Sequence, residues 1–75
     1  MSNFWDKQEE IGRVTKNKRE EVAVSKCERQ GKEYLDVRIH AKAKDSETYV
    51  PTSKGFSVET EIGKEIIELM LKAVE

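Results

Sequence analysis

The chain has one cysteine, one histidine, one proline, one tryptophan and four glycines among 75 residues, and each scarcity removes a class of answer. Cys27 has no partner for an intrachain disulfide. With His40 it offers two soft ligands where a structural zinc needs four, so no metal is expected. The single imidazole, His40, has no nucleophile motif beside it. The acidic pairs Glu9-Glu10 and Glu20-Glu21 point opposite ways in an extended chain and make no acid–base couple, and glycine-rich phosphate loops are absent. The sequence therefore reads as a non-enzyme with no cofactor. No apolar run approaches the roughly 20 residues of a membrane span, and Met1-Ser2-Asn3-Phe4-Trp5-Asp6 lacks the basic flank of a secretion signal, so a cytoplasmic protein without membrane contact is expected.

What is present must hold the fold together with little material. A chain this short buries roughly 60–65% of its unfolded surface, so dimerisation or unusually good packing is needed. The formal net charge of −1 conceals a division: residues 1–10 carry −2, residues 59–75 carry −3, and residues 11–58 carry eleven Lys/Arg against seven Asp/Glu. A basic middle segment suits a polyanion, while a mixed surface kept for solubility is the alternative.

Periodicity divides the chain. Residues 1–10 follow no period and read as a flexible arm on which Phe4 and Trp5 are placed to dock back, leaving 11–75 as one domain. Ile11–Val14 reads as a short strand, followed by the polar loop of Thr15, Lys16, Asn17, Lys18 and Arg19. Val22 and Val24 mark a second strand, Gln30-Gly31 a turn, and Tyr34–Ala41 alternates strictly, with Leu35, Val37, Ile39 and Ala41 on a core side and Tyr34, Asp36, Arg38 and His40 opposite. Thr48–Val50 is a strand that Pro51 is expected to end, Thr52–Gly55 a turn, and Phe56–Val58 a last strand.

From about Thr60, the expected helix cap, the period becomes 3.6. Ile62, Ile66, Ile67, Leu69, Met70, Leu71, Ala73 and Val74 form a stripe wider than one sheet can cover. The spacing predicts that Ile66, Ile67, Met70, Leu71 and Val74 meet a second copy of the chain, against the alternative of a monomer with a broadly buried helix.

Lys32, Tyr34, Arg38, His40 and Lys42 share one strand face, which combines cations with an aromatic ring as a single-strand-binding surface does. Asp36 is placed to hold the Arg38 guanidinium by a charge-assisted hydrogen bond. Lys54 adds a cation in a turn rich in amides and hydroxyls. A plain solvated sheet face is the competing reading.

Gly31-Lys32, Tyr34-Leu35-Asp36-Val37-Arg38 and Pro51-Thr52-Ser53-Lys54-Gly55-Phe56-Ser57-Val58, followed by a terminal helix, fit G-K-x-x-[LIV]-D-[IV]-R and then P-x-x-K-G-[IF]-S-[LV]. Over about residues 20–74 this resembles the single-stranded-DNA-binding transcriptional coactivators of the positive cofactor four type, in their small bacterial and phage form. The resemblance implies an α+β fold, a four-stranded curved antiparallel sheet with one C-terminal helix, assembled as a homodimer whose sheets form grooves for unpaired DNA. It maps backbone contacts onto Lys32, Arg38 and Lys54, and in the binding reading drawn from it Arg29, Lys26 and Lys42 are auxiliary. Two positions depart from the eukaryotic pattern: Arg29 and Ala41 stand where those members carry base-stacking aromatics.

The expected function is thus a dimeric binder of single-stranded DNA, with RNA as a variant ligand, acting in transcription, replication or repair alongside the proteins of those processes. The rival is a dimeric protein-interaction module that kept the fold and lost the nucleic-acid surface.

Overall fold

A computed structural model describes residues 4–75. Four antiparallel strands, β1 (Lys7–Thr15), β2 (Glu20–Arg29), β3 (Lys32–Lys42) and β4 (Tyr49–Glu59), form one sheet in the order of the sequence, and the helix α1 (Thr60–Ala73) follows directly. The expected four-stranded sheet with one C-terminal helix is therefore present.

The β2–β3 hairpin is built by a two-residue turn at Gln30 and Gly31, with φ of 51° and 79°, values that match the right-handed twist of the flanking strands. Arg29 pairs with Lys32 to close it. The strand β1 begins at Lys7, not at Ile11: residues 7–10 run along Glu28 to Ser25. The sequence hides this because every residue of β1 is exposed, so ladder hydrogen bonds hold the strand without any alternation of polarity. Residues 1–3 of the expected arm lie outside the described residues.

Strand β4 is likewise continuous where two short strands and a turn were expected. As the last strand of the sheet it leaves one edge unpaired, where a residue without an N–H is tolerated, so Pro51 sits within it. The expected turn is a bulge. Arg38 pairs with Gly55 and His40 with Pro51, so Thr52, Ser53 and Lys54 bow out opposite Ile39, and Thr52 Oγ1 donates to the Ile39 carbonyl at 2.8 Å. A second bulge at Ile11 interrupts β1, and the two irregularities curve the sheet.

Paired residues share a face, so Val22, Val24, Leu35, Val37, Ile39 and Val58 lie on the helix side of the sheet. They are only half-buried, because α1 covers one end of that face. The helix approaches through Gly63: a Cβ there would stand 3.0 Å from Leu35 Cδ2, which explains a glycine inside a helix. Between helix and sheet remains a crevice of about 220 Å³ lined by Ile11, Leu35, Gly63 and Ile67. Glu59, not Thr60, is the N-cap residue, and its side chain makes no capping bond. Among the described residues the buried apolar side chains are Ala23 and Cys27 alone, both on the face away from the helix, so the expected core side is the less buried one.

Gly55 has φ of 138°, and a Cβ there would collide with the Val37 carbonyl oxygen. Gly55→Ala is expected to destabilise the protein by more than about 2 kcal/mol, and Gly12→Ala, where a Cβ meets nothing within 4 Å, by under about 0.5 kcal/mol. Urea unfolding of the two variants checks the contrast, and similar midpoints would contradict it.

Candidate nucleic-acid interface

The face away from the helix carries the even-numbered residues of β3. At its centre Asp36 is 4% exposed, and its Oδ1 accepts from Ser57 Oγ at 2.5 Å and from Arg38 Nη2 at 2.8 Å. Arg38 also donates through Nη1 to the Ser53 carbonyl and through Nη2 to Ser57 Oγ, both at 3.3 Å. The expected Asp36–Arg38 bond is present, and β4 completes the clamp. A guanidinium fixed in this way, with 24% of its side chain still open, has lost rotamer freedom before any anion arrives.

The alternation of β3, continued across the hairpin, brings Arg29, Lys32, Arg38 and Lys42 to this one face, spread over roughly 33 Å of strand. Lys32 lies 3.8 Å from Glu59, and the Lys42 ammonium is 5.5 Å from the Tyr49 ring centre. Lys26 pairs with Leu35 and so belongs to the helix side, where it lies 3.9 Å from Glu33. Lys54 stands on the bulge at the sheet edge, its N–H donating to Thr52 Oγ1 at 3.1 Å.

The remaining cations of the sheet and its loop are partly neutralised, including Arg13 on the same face. Arg13 holds Glu10 through two bonds of 2.7 and 3.0 Å and reaches Glu21 at 3.2 Å. The Arg13 hydrogen bond keeps the Glu10 carboxyl below its ordinary pKa, and the two carboxylates raise that of Arg13. In the β1–β2 loop, hydrogen bonds from Asn17 and Lys16 lower the pKa of Glu20, with a Coulombic contribution from Lys54, so Lys16 is already paired. Cys27 is 1% exposed, and burial, with the Asp36 charge adding to it, raises its thiol pKa, which makes it a poor nucleophile.

The residues that sequence patterning places least firmly are Phe4 and Trp5. Asp6 tethers them: its N–H donates to the Glu28 carbonyl at 2.8 Å, and its carboxylate accepts from the Gln30 N–H, also at 2.8 Å. The arm thus folds onto the polar side of the sheet. Trp5 lies 5.2 Å from Tyr34, Phe4 meets Trp5 edge-on at 4.9 Å, and the Arg29 guanidinium sits 3.9 Å over the Phe4 ring. The signal in the sequence is an adjacent aromatic pair at the start of a chain with only five aromatic residues. A groove of about 460 Å³ runs between this arm and Pro51, with Asp36, Arg38, His40 and Ser57 lining it.

No protein-family model matches the sequence, and no curated protein matches it. Solved structures do. A PC4 homologue from Burkholderia pseudomallei superposes in its tetragonal crystal form with a TM-score of 0.78 and 28% identity, covering 92% of this chain and all of that one. The orthorhombic form gives 0.79 and 27% identity over 97% of each chain. This chain is PC4-like. At 97% coverage the likeness takes in the four strands and the terminal helix.

Asp36→Ala is expected to cost about 2–3 kcal/mol, because it strands the Arg38 guanidinium and the Ser57 hydroxyl at a site shielded from water. Ser57→Ala should cost about 1 kcal/mol. Chemical denaturation checks both, and an Asp36→Ala variant as stable as the parent would show that the clamp contributes nothing.

Proposed function

We propose that this PC4-like chain is a non-enzymatic, homodimeric single-stranded-DNA-binding protein of transcription, replication or repair. The observation that carries the reading is Arg38, a partly open guanidinium fixed by Asp36 and Ser57 in the middle of a sheet face that also bears Arg29, Lys32 and Lys42. Such a row would neutralise successive phosphates of one strand and release their counterions, and a curved face suits a flexible single strand better than a stiff duplex. Lys54, at the edge beside Arg38's partner Gly55, extends the row, and Lys26 flanks it from the other face.

Dimerisation is supported by what a single chain leaves uncovered. Ile67, Met70, Leu71 and Val74 are 46–81% exposed, and Ile66 is half-buried. A second copy, seated on this stripe and on the open part of the helix-side sheet face, would set the two polar faces outward as paired grooves.

A second reading has a specific observation behind it. Asp36, Glu10, Glu21 and Glu59 offset much of the positive charge of the polar face, as expected of a dimeric protein-interaction module that no longer binds nucleic acid. Fluorescence anisotropy separates the two. Labelled oligo-dT should bind at low salt more tightly than duplex, and a matched RNA oligomer in competition ranks the sugars. Arg38→Ala should weaken binding about 5- to 30-fold and lower the slope of log K against log salt by about 0.7 for each phosphate no longer neutralised. Flat anisotropy at low salt, together with a nuclease-insensitive protein partner, would select the interaction module.

A further inference from the structure

The packing of Phe4 and Trp5 is unusual for a terminal arm. Aromatic side chains that dock to stabilise a fold do so over apolar surface, whereas the groove beside this pair is lined by Asp36, Arg38, His40 and Ser57. Phe4 remains 61% exposed. The rings and the guanidinium form a continuous series, Arg29 on Phe4, Phe4 against Trp5, Trp5 against Tyr34, held in register by the two Asp6 bonds to the hairpin. The groove beside them has a volume of about 460 Å³ and is lined by Pro51 and the fixed Arg38 together with the two aromatics. Among the described residues, His40 Nδ1 is the buried side-chain polar atom without a hydrogen-bond partner, and His40 lines the same groove.

We propose that the N-terminal arm builds a stacking site for one unpaired nucleobase, with Trp5 as its platform, Arg38 meeting the adjoining phosphate, and Phe4 supplying beside Arg29 the aromatic surface that β2 itself lacks. The proposal rests on the single-stranded-DNA reading above. A base is the ligand that fits because it offers a flat π-face and a neighbouring anion together, and a groove lined by aromatic rings and a guanidinium has a use for both. Stacking on any base is favourable, so the site adds affinity without sequence preference.

Trp5 is the single tryptophan, so its emission reports on this site alone. Titration of the full chain with oligo-dT should quench Trp5 fluorescence with the same midpoint as the anisotropy of the labelled strand. Trp5→Ala should weaken binding about tenfold and Trp5→Phe less, with melting temperatures unchanged, and the penalty should vanish on an abasic strand of equal length. Strand binding that leaves Trp5 emission unchanged, with Trp5→Ala within twofold of the parent, would overturn the site and leave the single-stranded-DNA reading standing. Tighter binding by Trp5→Ala would also overturn it, since the arm would then be an obstacle. No anisotropy change with the parent protein would overturn both.

Discussion

The helix Thr60–Ala73 approaches its own sheet closely at Gly63 and half-buries Ile66, while Ile62, Ile67, Leu69, Met70 and Leu71 face open space together with Phe56 and Val50 on strand β4. Burying five such side chains is worth on the order of 5–10 kcal/mol, comparable to the whole stability of a small domain. Ala23 and Cys27 cannot replace that contribution. In the proposed dimer a second copy covers this surface and adds its burial to the stability of the fold. The proposed function follows from the same arrangement, because covering the helix side would leave the polar side of the sheet as the one a ligand meets.

That polar side is organised around Asp36. A carboxylate at 4% exposure is tolerated only because Arg38 and Ser57 satisfy it, and the same contacts fix Arg38. The bulge at Thr52–Lys54 belongs to this arrangement: by bowing out of β4 it presents the Ser53 carbonyl to Arg38 and requires glycine at position 55. The motif residues between Pro51 and Ser57 are thus the geometry of one guanidinium clamp, not a separate loop beside it.

Much of this is legible in the sequence, for physical reasons that differ between elements. Strand β3 is half-buried along most of its length, so its alternation has to be written in residue types, and the shared face of Lys32, Arg38 and Lys42 follows from it. The helix is legible by period, and its surplus of apolar positions matches its exposure. Pattern alone shortens β1, because a strand that buries nothing needs no alternation. Pro51 reads as a break in β4 because proline interrupts a central strand, yet an edge tolerates it. Charge groups Lys26 with the other cations, although its pairing with Leu35 turns it to the helix side. The placement of Phe4 and Trp5 depends on two hydrogen bonds from Asp6 to a hairpin more than twenty residues away, which no local pattern encodes.

The most direct test is sedimentation equilibrium of the native chain, with unfolding followed in parallel at several protein concentrations. A two-copy mass at micromolar concentration, and a melting temperature that rises as the protein is concentrated, are what this account requires. A folded single copy of 8.7 kDa whose melting is independent of concentration would contradict it.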